Sequence, residues 1–272
     1  MRIRIACLHD IASYGGAALM NIIPIMYSKG IEVSPVPTSL FTSHGAVEGA
    51  KSFDVSAFMK EYTRQYSKLN VHFDGIYLGL FTSVFQMEEA LKFLESFSKE
   101  NTLILLDPIM GDNGKLYGFI HENNVNSMRN LAKRADIITP NLTEACILAG
   151  IEYKEIFSEA ELQALLVTLA NLGPKHIVVT SVTKGNLICT YVYTKAKIQV
   201  VERERLPGSY PGTGDAFSAF LMAEMLKGTE IIEAVENAMI FIEECIKILL
   251  KNGYNSLEGL PIAEYINGSQ ES

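Results

Sequence analysis

The chain has 272 residues, a formal net charge of −8 and 48% apolar side chains. This apolar fraction is sufficient for a sizeable core, which excludes an intrinsically disordered chain. An acidic chain without a basic cluster is not expected to bind nucleic acid or an anionic membrane surface. No uncharged apolar run reaches transmembrane length, so no membrane span is expected.

The cysteines and the N-terminus indicate a cytoplasmic protein. The four cysteines form no CxxC motif and are Cys7, Cys146, Cys189 and Cys245. A secreted chain of this size would more often carry a disulfide framework, so a reducing compartment is expected. The N-terminal run "MRIRIACLHD" is interrupted by His9 and Asp10. It therefore indicates a first strand rather than a signal peptide.

Hydrophobic periodicity predicts strands that alternate with helices along almost the whole chain. In the first half we expect a strand over 2–8, a helix over 17–30, a short strand over 31–37 broken by Pro35 and Pro37, a helix over 54–69, a strand over 74–80, a helix over 84–100 and a strand over 102–108.

The second half continues the same alternation. We expect a helix over 123–135, a short strand over 136–140, helices over 141–150 and 158–173 (the latter with a Ser158–Glu161 capping box), a strand over 176–181, an antiparallel hairpin of 186–194 and 196–206, a helix ending at Gly228 and a long helix over 229–253. The last six residues, 267–272, are expected to fray. The pattern predicts an α/β fold with a mostly parallel sheet covered on both faces, and a single domain over 1–272.

Polar residues follow four of the predicted strands. They are His9 and Asp10 after the first strand, Asp107 and Asp112 in "DPIMGDNG", Asn141 and Glu144 in "PNLTE", and Asp215 in "GTGD". Ligands of parallel sheets bind beyond the carboxyl ends of the strands, so these clusters can converge on one ligand. Several carboxylates without paired cations indicate a hard, oxygen-ligated metal such as Mg²⁺, which bridges phosphates and needs only one or two protein carboxylates.

The stretch "PGTGDAFSAFL", residues 211–221, combines an anion site with a carboxylate. Backbone amides of Gly212, Thr213 and Gly214 at the start of a helix can point at an anion, with the helix dipole behind them. Asp215 would repel a resting anion. It can, however, take a proton from a hydroxyl while the amides stabilise a phosphoryl group in transfer. This arrangement predicts a kinase with Asp215 as general base.

Each cluster also has a purely structural alternative. The GxGD stretch can be a turn before a helix, and Asp107 can merely end a strand before proline. Asp112 can belong to an Asp-Asn-Gly turn. Asn141 and Glu144 can be a helix cap and its return hydrogen bond. The occurrence of all four after successive strands favours a site. The chain has no GxxxxGK[ST] and no GxGxxG after the first strand, which excludes a P-loop enzyme and a Rossmann dehydrogenase.

Three segments, "LLDPIMGDNGKLY", "ADIITPNLTEACILAG" and "PGTGDAFSAFL", resemble the ribokinase-like superfamily in order and spacing. Within it they resemble the pyridoxal and pyridoxamine kinases and their hydroxymethylpyrimidine kinase relatives. "HDIASYGGAALMNIIPIM" and "PTSLFTSHG" resemble the vitamin B6 branch, so the likeness covers nearly the whole chain. It implies a three-layer α/β/α fold, ATP as phosphoryl donor, Mg²⁺ and a homodimer.

The resemblance also implies a role for each matching residue. Asp215 matches the catalytic base, and Gly212, Thr213 and Gly214 match the anion hole. The positions expected at the nucleotide are Asp107, Asn141, Thr180 and Ser181. The positions expected at the metal are Asp112 and Glu144, and those expected at the pyridine substrate are Asp10 and His44.

Three segments depart from the pattern of the vitamin B6 kinases, the first being the loop near the first strand, where positions commonly filled by small polar residues hold Ala12 and Ser13. This chain has Ser43-His44-Gly45 where they usually have Asn-His-Thr, and Gly79-Leu80 where an aromatic residue usually follows the glycine. The expected function is ATP-dependent phosphorylation of the hydroxymethyl group of pyridoxal, pyridoxamine or pyridoxine. The alternatives are a hydroxymethylpyrimidine kinase and a catalytically silent ligand-binding paralogue, although the intact GTGD argues against the latter.

Overall fold

A computed structural model describes the backbone of residues 2–270 and the side chains of residues 2–268. The strands are β1 (Ile3–Ala12), β2 (Ile31–Phe41), β3 (Ser52–Asp54), β4 (Gly75–Leu78), β5 (Leu103–Leu106), β6 (Gly111–Asp112), β7 (Lys115–Leu116), β8 (Ile137–Ile138), β9 (His176–Lys184), β10 (Leu187–Thr194) and β11 (Lys197–Glu204). The helices are α1 (Leu19–Ser28), α2 (Ser56–Lys68), α3 (Val84–Phe97), α4 (Glu122–Ala132), α5 (Leu142–Ala149), α6 (Glu159–Ala170), α7 (Thr213–Leu226), α8 (Ile231–Asn252) and α9 (Ile262–Gln270).

The central sheet has nine strands in the order β11-β10-β9-β8-β5-β4-β1-β2-β3. Its middle strands, from β9 to β2, are parallel to their neighbours. The outer strands β10, β11 and β3 pair antiparallel. The mostly parallel sheet and the hairpin at its edge confirm the sequence predictions.

Helices cover both faces of the sheet, because successive side chains of its inner strands point to opposite sides and are both apolar. Leu78 and Leu106 belong to a core formed with α2 to α6. Tyr77 and Leu105 belong to a second core formed with α1 and α7 to α9. The result is the expected three-layer α/β/α arrangement.

Strand β2 corrects one prediction, because it runs unbroken through Pro35 and Pro37. Both prolines pair in register with β1, whereas β3 pairs only with residues 39–41. Residues two apart in a strand present their amide positions to the same side, and here that side has no partner strand. The missing N–H groups therefore cost no ladder hydrogen bond.

The C-terminal prediction is also wrong over residues 267–270, which are helical and belong to α9. Residues 271–272 lie outside the described part of the chain. The sequence reading also missed β3 and the small hairpin of β6 and β7. Within residues 2–270, no helix combines the length and apolarity that a membrane crossing requires.

The strand register brings the polar clusters to one edge of the sheet. A row of paired residues crosses the parallel strands at Leu8, Leu78, Leu106 and Ile138. The residues that directly follow this row are His9, Gly79, Asp107 and Thr139. The ends of four strands therefore lie side by side.

Candidate active site

Asp215, in the first turn of α7, meets the end of β1. Its Oδ2 accepts a hydrogen bond from the Ala18 N–H at 2.7 Å. Its Oδ1 lies 3.3 Å from Nε2 of His9, a histidine that is almost completely buried. On the other side of the imidazole, Nδ1 lies 2.8 Å from Oδ1 of Asp10. The ring of His9 therefore stands between two carboxylates.

These two carboxylates keep His9 protonated. Burial alone would lower the pKa of His9, but the contacts with Asp10 and Asp215 raise it from 6.5 to about 10. The backbone N–H of Asp10 also lies 3.0 Å from Nδ1. A protonated Nδ1 cannot accept from that amide, so we assign the shorter contact, from Nδ1–H to the Asp10 carboxylate, as the hydrogen bond.

Asp107 is a second buried carboxyl group at this edge. Its Oδ2 accepts from the Ser218 hydroxyl at 3.2 Å and from the Tyr77 hydroxyl at 3.4 Å. Burial and the charge of Asp215 raise the pKa of Asp107 to about 7. The ionised form of this carboxyl group is therefore disfavoured, and a cation brought near it would favour that form.

The α7 N-terminus is open to an anion. Gly212 is the N-cap with φ 80°, and no side chain caps the helix. A Cβ on Gly212 would lie 2.3 Å from the Gly16 carbonyl oxygen, so only glycine fits there. Asn21 Nδ2 donates to the carbonyls of Gly16 and Gly212 at 2.9 and 3.1 Å and fixes this approach. The first amides of α7, from Thr213 to Asp215, are thus available to a phosphoryl group.

Asn141 and Glu144 form a capping box at the start of α5, which confirms the structural alternative for this pair. The two Glu144 oxygens accept from the backbone N–H groups of Met110 and Asn141 at 3.0 and 2.9 Å. Asn141 Nδ2 donates to the Gly111 carbonyl at 2.9 Å. Burial and the charge of Asp107 raise the pKa of Glu144. The cap therefore also anchors the "DPIMGDNG" loop beside the site.

Asp112 is exposed and folds onto its own turn. Its two oxygens accept from the backbone and side-chain N–H groups of Asn113 at 2.8 and 3.0 Å. Asn113 and Gly114 both have positive φ, as the predicted Asp-Asn-Gly turn requires. Asp112 has no direct contact with Glu144 among the hydrogen bonds of the described residues.

The acidic residues nevertheless share one region. Burial is the main reason that the pKa of Tyr117 is raised. The charges of four carboxylates raise it further, namely those of Glu144, Asp112, Asp107 and Asp215. Within the described chain, no three His, Cys, Asp or Glu side chains are arranged to hold a metal ion by themselves. The region can attract a cation but needs additional ligands, such as phosphate oxygens and water.

Thr180 lies beside Asn141. The two residues form an isolated parallel bridge, and the Thr180 N–H donates to the Pro140 carbonyl at 2.9 Å. Ser181, the next residue, is exposed and has φ 62°. Left-handed backbone at a residue other than glycine is often found at ligand sites. The structure thus brings Asn141, Thr180 and Ser181 together.

The sequence comparisons identify the family to which this chain belongs. Residues 32–258 match the sequence model of a family described as phosphomethylpyrimidine kinase. The chain belongs to this family. It is accordingly a kinase.

Its relatives within and around the phosphomethylpyrimidine kinase family carry two substrate names. A hydroxymethylpyrimidine/phosphomethylpyrimidine kinase of Staphylococcus aureus is 26% identical over 243 residues, covering 86% of this chain and 84% of the relative. A pyridoxine kinase of Bacillus subtilis is 28% identical over 202 residues, covering 73% and 69%. A Bacteroides thetaiotaomicron protein, assigned as a phosphomethylpyrimidine kinase and crystallised with pyridoxal, is 32% identical with a TM-score of 0.94, covering 98% and 96%.

In this member of the phosphomethylpyrimidine kinase family, the structure does not join His44 to Asp10. His44 Nε2 donates to the Leu257 carbonyl at 2.8 Å, and Nδ1 accepts from the Ala46 N–H at 3.3 Å. Both ring nitrogens are therefore engaged by the protein. The buried ring connects the loop after β2 to the turn before α9.

The sequence analysis placed both His9 and Asp10 in the first polar cluster but predicted a role only for Asp10. It missed Tyr77 and Ser218, the two hydroxyl donors to Asp107. One signal for His9 is Gly79. Leu8 and Leu78 pair in the sheet, so Gly79 directly follows the residue paired with Leu8. A glycine there leaves room for the large side chain of His9 on the neighbouring strand. Nothing in the local sequence pointed to Tyr77 or Ser218, which have the appearance of ordinary core residues.

We expect the ligand-free protein to lose stability as the pH rises from 6.5 towards 10, because folding raises the pKa of His9 over this interval. This contribution is fully present below the unfolded value and is lost above the folded value. Each ~1 kcal/mol lost lowers Tm by ~2–4 °C in a protein of about this size. Thermal unfolding across this pH range should show a steeper fall for wild type than for His9→Gln. His72→Gln, at an exposed histidine, is the control, and equal slopes in all three proteins would contradict the assignment.

Proposed function

We propose that this kinase transfers the γ-phosphoryl group of ATP to the hydroxymethyl group of pyridoxal, pyridoxamine or pyridoxine. The observation that carries the transfer step is the uncapped N-terminus of α7 directly beside Asp215. The pyridoxal bound to the Bacteroides relative supports a B6 vitamer as substrate. Hydroxymethylpyrimidine is the second candidate, because the name of the Staphylococcus relative includes it and the family description names the phosphorylated form, phosphomethylpyrimidine.

In the proposed reaction, Asp215 accepts the proton of the substrate hydroxyl. The hydroxyl oxygen forms the new bond to the γ-phosphorus, and the bond from that phosphorus to the bridging oxygen of ADP breaks. The amides of Thr213, Gly214 and Asp215, with the turn at Gly212, hold the negative oxygens of the group in transfer. Asp215 thus supplies basicity, and the helix terminus supplies electrostatic stabilisation.

We propose that ATP lies along the ends of β5, β8 and β9, near Asp107, Asn141, Thr180 and Ser181. The four carboxylates that act on Tyr117 fit a divalent cation carried by the nucleotide phosphates. Asp112 and Glu144 would hold Mg²⁺ through water, since Glu144 already accepts two backbone hydrogen bonds. When bound, Mg²⁺ would neutralise phosphate charge.

The substrate ring is proposed to face Asp10. One oxygen of Asp10 is bonded to His9, which leaves one for a protonated ring nitrogen or an amine. His44 is proposed to shape the substrate loop, because both its nitrogens have protein partners. We further propose that residues 1–272 act as one kinase domain and that the enzyme is a cytoplasmic homodimer.

A substrate panel tests the function. We expect phosphorylation of all three B6 vitamers, with a weak preference for pyridoxamine, because Asp10 offers an acceptor to its amine. Specificity constants should be measured for pyridoxal, pyridoxamine, pyridoxine and hydroxymethylpyrimidine with wild type and Asp10→Asn. A clear preference for hydroxymethylpyrimidine would exclude the B6 assignment. If the ratios of these specificity constants are unchanged in Asp10→Asn, then Asp10 does not contact the polar groups of the substrate ring.

The metal proposal predicts a change in Mg²⁺ demand. Replacing Asp112 with asparagine keeps the exposed turn. It removes the charge of one of the four carboxylates that raise the pKa of Tyr117. We expect the Mg²⁺ concentration for half-maximal activity to rise several-fold, with little change in Tm. Glu100→Gln, in an exposed turn before β5 and hence at the opposite end of the sheet, should leave the titration unchanged. Superimposable titrations for the two variants would count against a role of Asp112.

A further inference from the structure

His9 lies at the centre of the site, but the proposed reaction gives it no role. It is 1% exposed. Its Nε2 has no aligned hydrogen-bond acceptor within the described residues, although the atom is buried. The nearest carboxylate oxygen is Asp215 Oδ1 at 3.3 Å. Burying a charged N–H without a well-aligned acceptor is costly.

The ring is held on every side. Nδ1 is bonded to Asp10 at 2.8 Å, and Tyr77 packs edge-on with ring centroids 5.8 Å apart. On the β4 side, a Cβ at Gly79 would lie 1.8 Å from Cδ2 of His9. The imidazole therefore cannot turn away from Asp215 without moving the backbone of β4.

We propose that His9 is a positioning residue for the general base: its ring links Asp10 to Asp215 and holds the Asp215 carboxylate in place. The inference rests on the proposed kinase function, since it assigns His9 to the same proton transfer. The ring would also couple the substrate side of the pocket, at Asp10, to the catalytic side, at Asp215.

The charges around His9 support this role. The titratable groups that face it are Cys7 and Asp10 on β1, Tyr77 on β4, Asp107 after β5 and Asp215 on α7. Burial raises the pKa of both Cys7 and Tyr77, so these two stay neutral. His9 is thus the cation among these groups, and it faces carboxyl groups. Without it, Asp215 would lie beside Asp107 with no compensating charge.

Kinetics of His9→Gln test the proposal. Glutamine keeps an N–H donor and removes the charge. A nearby opposite charge shifts a carboxylate's protonation by ~1–3 pH units. We therefore expect the acidic limb of the kcat profile to move up by about one unit or more, with KM for ATP little changed. Activity lost at neutral pH should partly return at higher pH. His72→Gln is the matched control, and a His9→Gln loss that is equal at every pH, or an unshifted limb, would overturn the proposal.

A spectroscopic measurement tests the same link without turnover. In protein carrying ¹⁵N-labelled histidine, both ring nitrogens of His9 should stay protonated to well above neutral pH in the ligand-free wild type. Asp10→Asn and Asp215→Asn should each lower the titration midpoint of His9 by at least one unit. The inference is overturned if His9 titrates near neutral pH in wild type, or if neither substitution changes its titration midpoint. Wild-type protein that phosphorylates neither vitamer nor pyrimidine would instead overturn the proposed function, while the titration still decides the role of His9.

Discussion

Asp215→Asn is expected to lower the turnover of the kinase ~10²–10⁴-fold at saturating substrates, the range typical of a lost general base. The substitution keeps the side-chain shape, and its oxygen can still accept from the Ala18 N–H that binds Oδ2 at 2.7 Å. It replaces a carboxylate with an amide that cannot take the substrate proton. The measurement is kcat with the best vitamer, together with Tm to show that the fold persists.

A matched control exists on the next helix. Glu233 lies in the first turn of α8, as Asp215 lies in the first turn of α7, and it is exposed. Glu233→Gln makes the same chemical change at a helix start and should leave kcat unaltered. Near-wild-type turnover of Asp215→Asn would refute the assignment of the base.

Gly79→Ala is expected to destabilise the protein and lower its turnover, although it adds only one methyl group. The new Cβ would lie 1.8 Å from Cδ2 and 2.2 Å from Nε2 of His9. Because Asp10 and Asp215 hold the ring, either the ring or β4 must move. Overpacking of this kind costs ~1–3 kcal/mol, and the displaced ring should also reduce turnover. Thermal unfolding and kcat measure the two effects.

Gly45→Ala is the control for this experiment. A Cβ at Gly45 meets no atom within 4 Å, and the residue does not have a positive φ. Its substitution should therefore be close to neutral, or slightly stabilising through the unfolded state. If Gly79→Ala matches Gly45→Ala in both Tm and kcat, then His9 is not confined as the structure indicates.

The sequence by itself determined the layers of this fold and the edge at which its polar residues gather. Hydrophobic periodicity and caps are local signals, so the alternation of strands and helices could be recognised directly. The Ser158–Glu161 capping box of α6, for example, forms as predicted. The GTGD start of α7 could also be recognised from the sequence, because the effects of a glycine at a helix start and of an adjacent aspartate depend only on nearby residues.

The contacts between these elements were decided only by the tertiary structure. The prolines of β2 are tolerated because one side of that strand is open, which depends on where β3 pairs. Asp215 is held by Ala18, which is 197 residues away in the sequence. His9 acquires its charge from Asp10 and Asp215 together. A pKa and an ion pair depend on distances between residues that are remote in the chain, and local patterns carry no information about those distances.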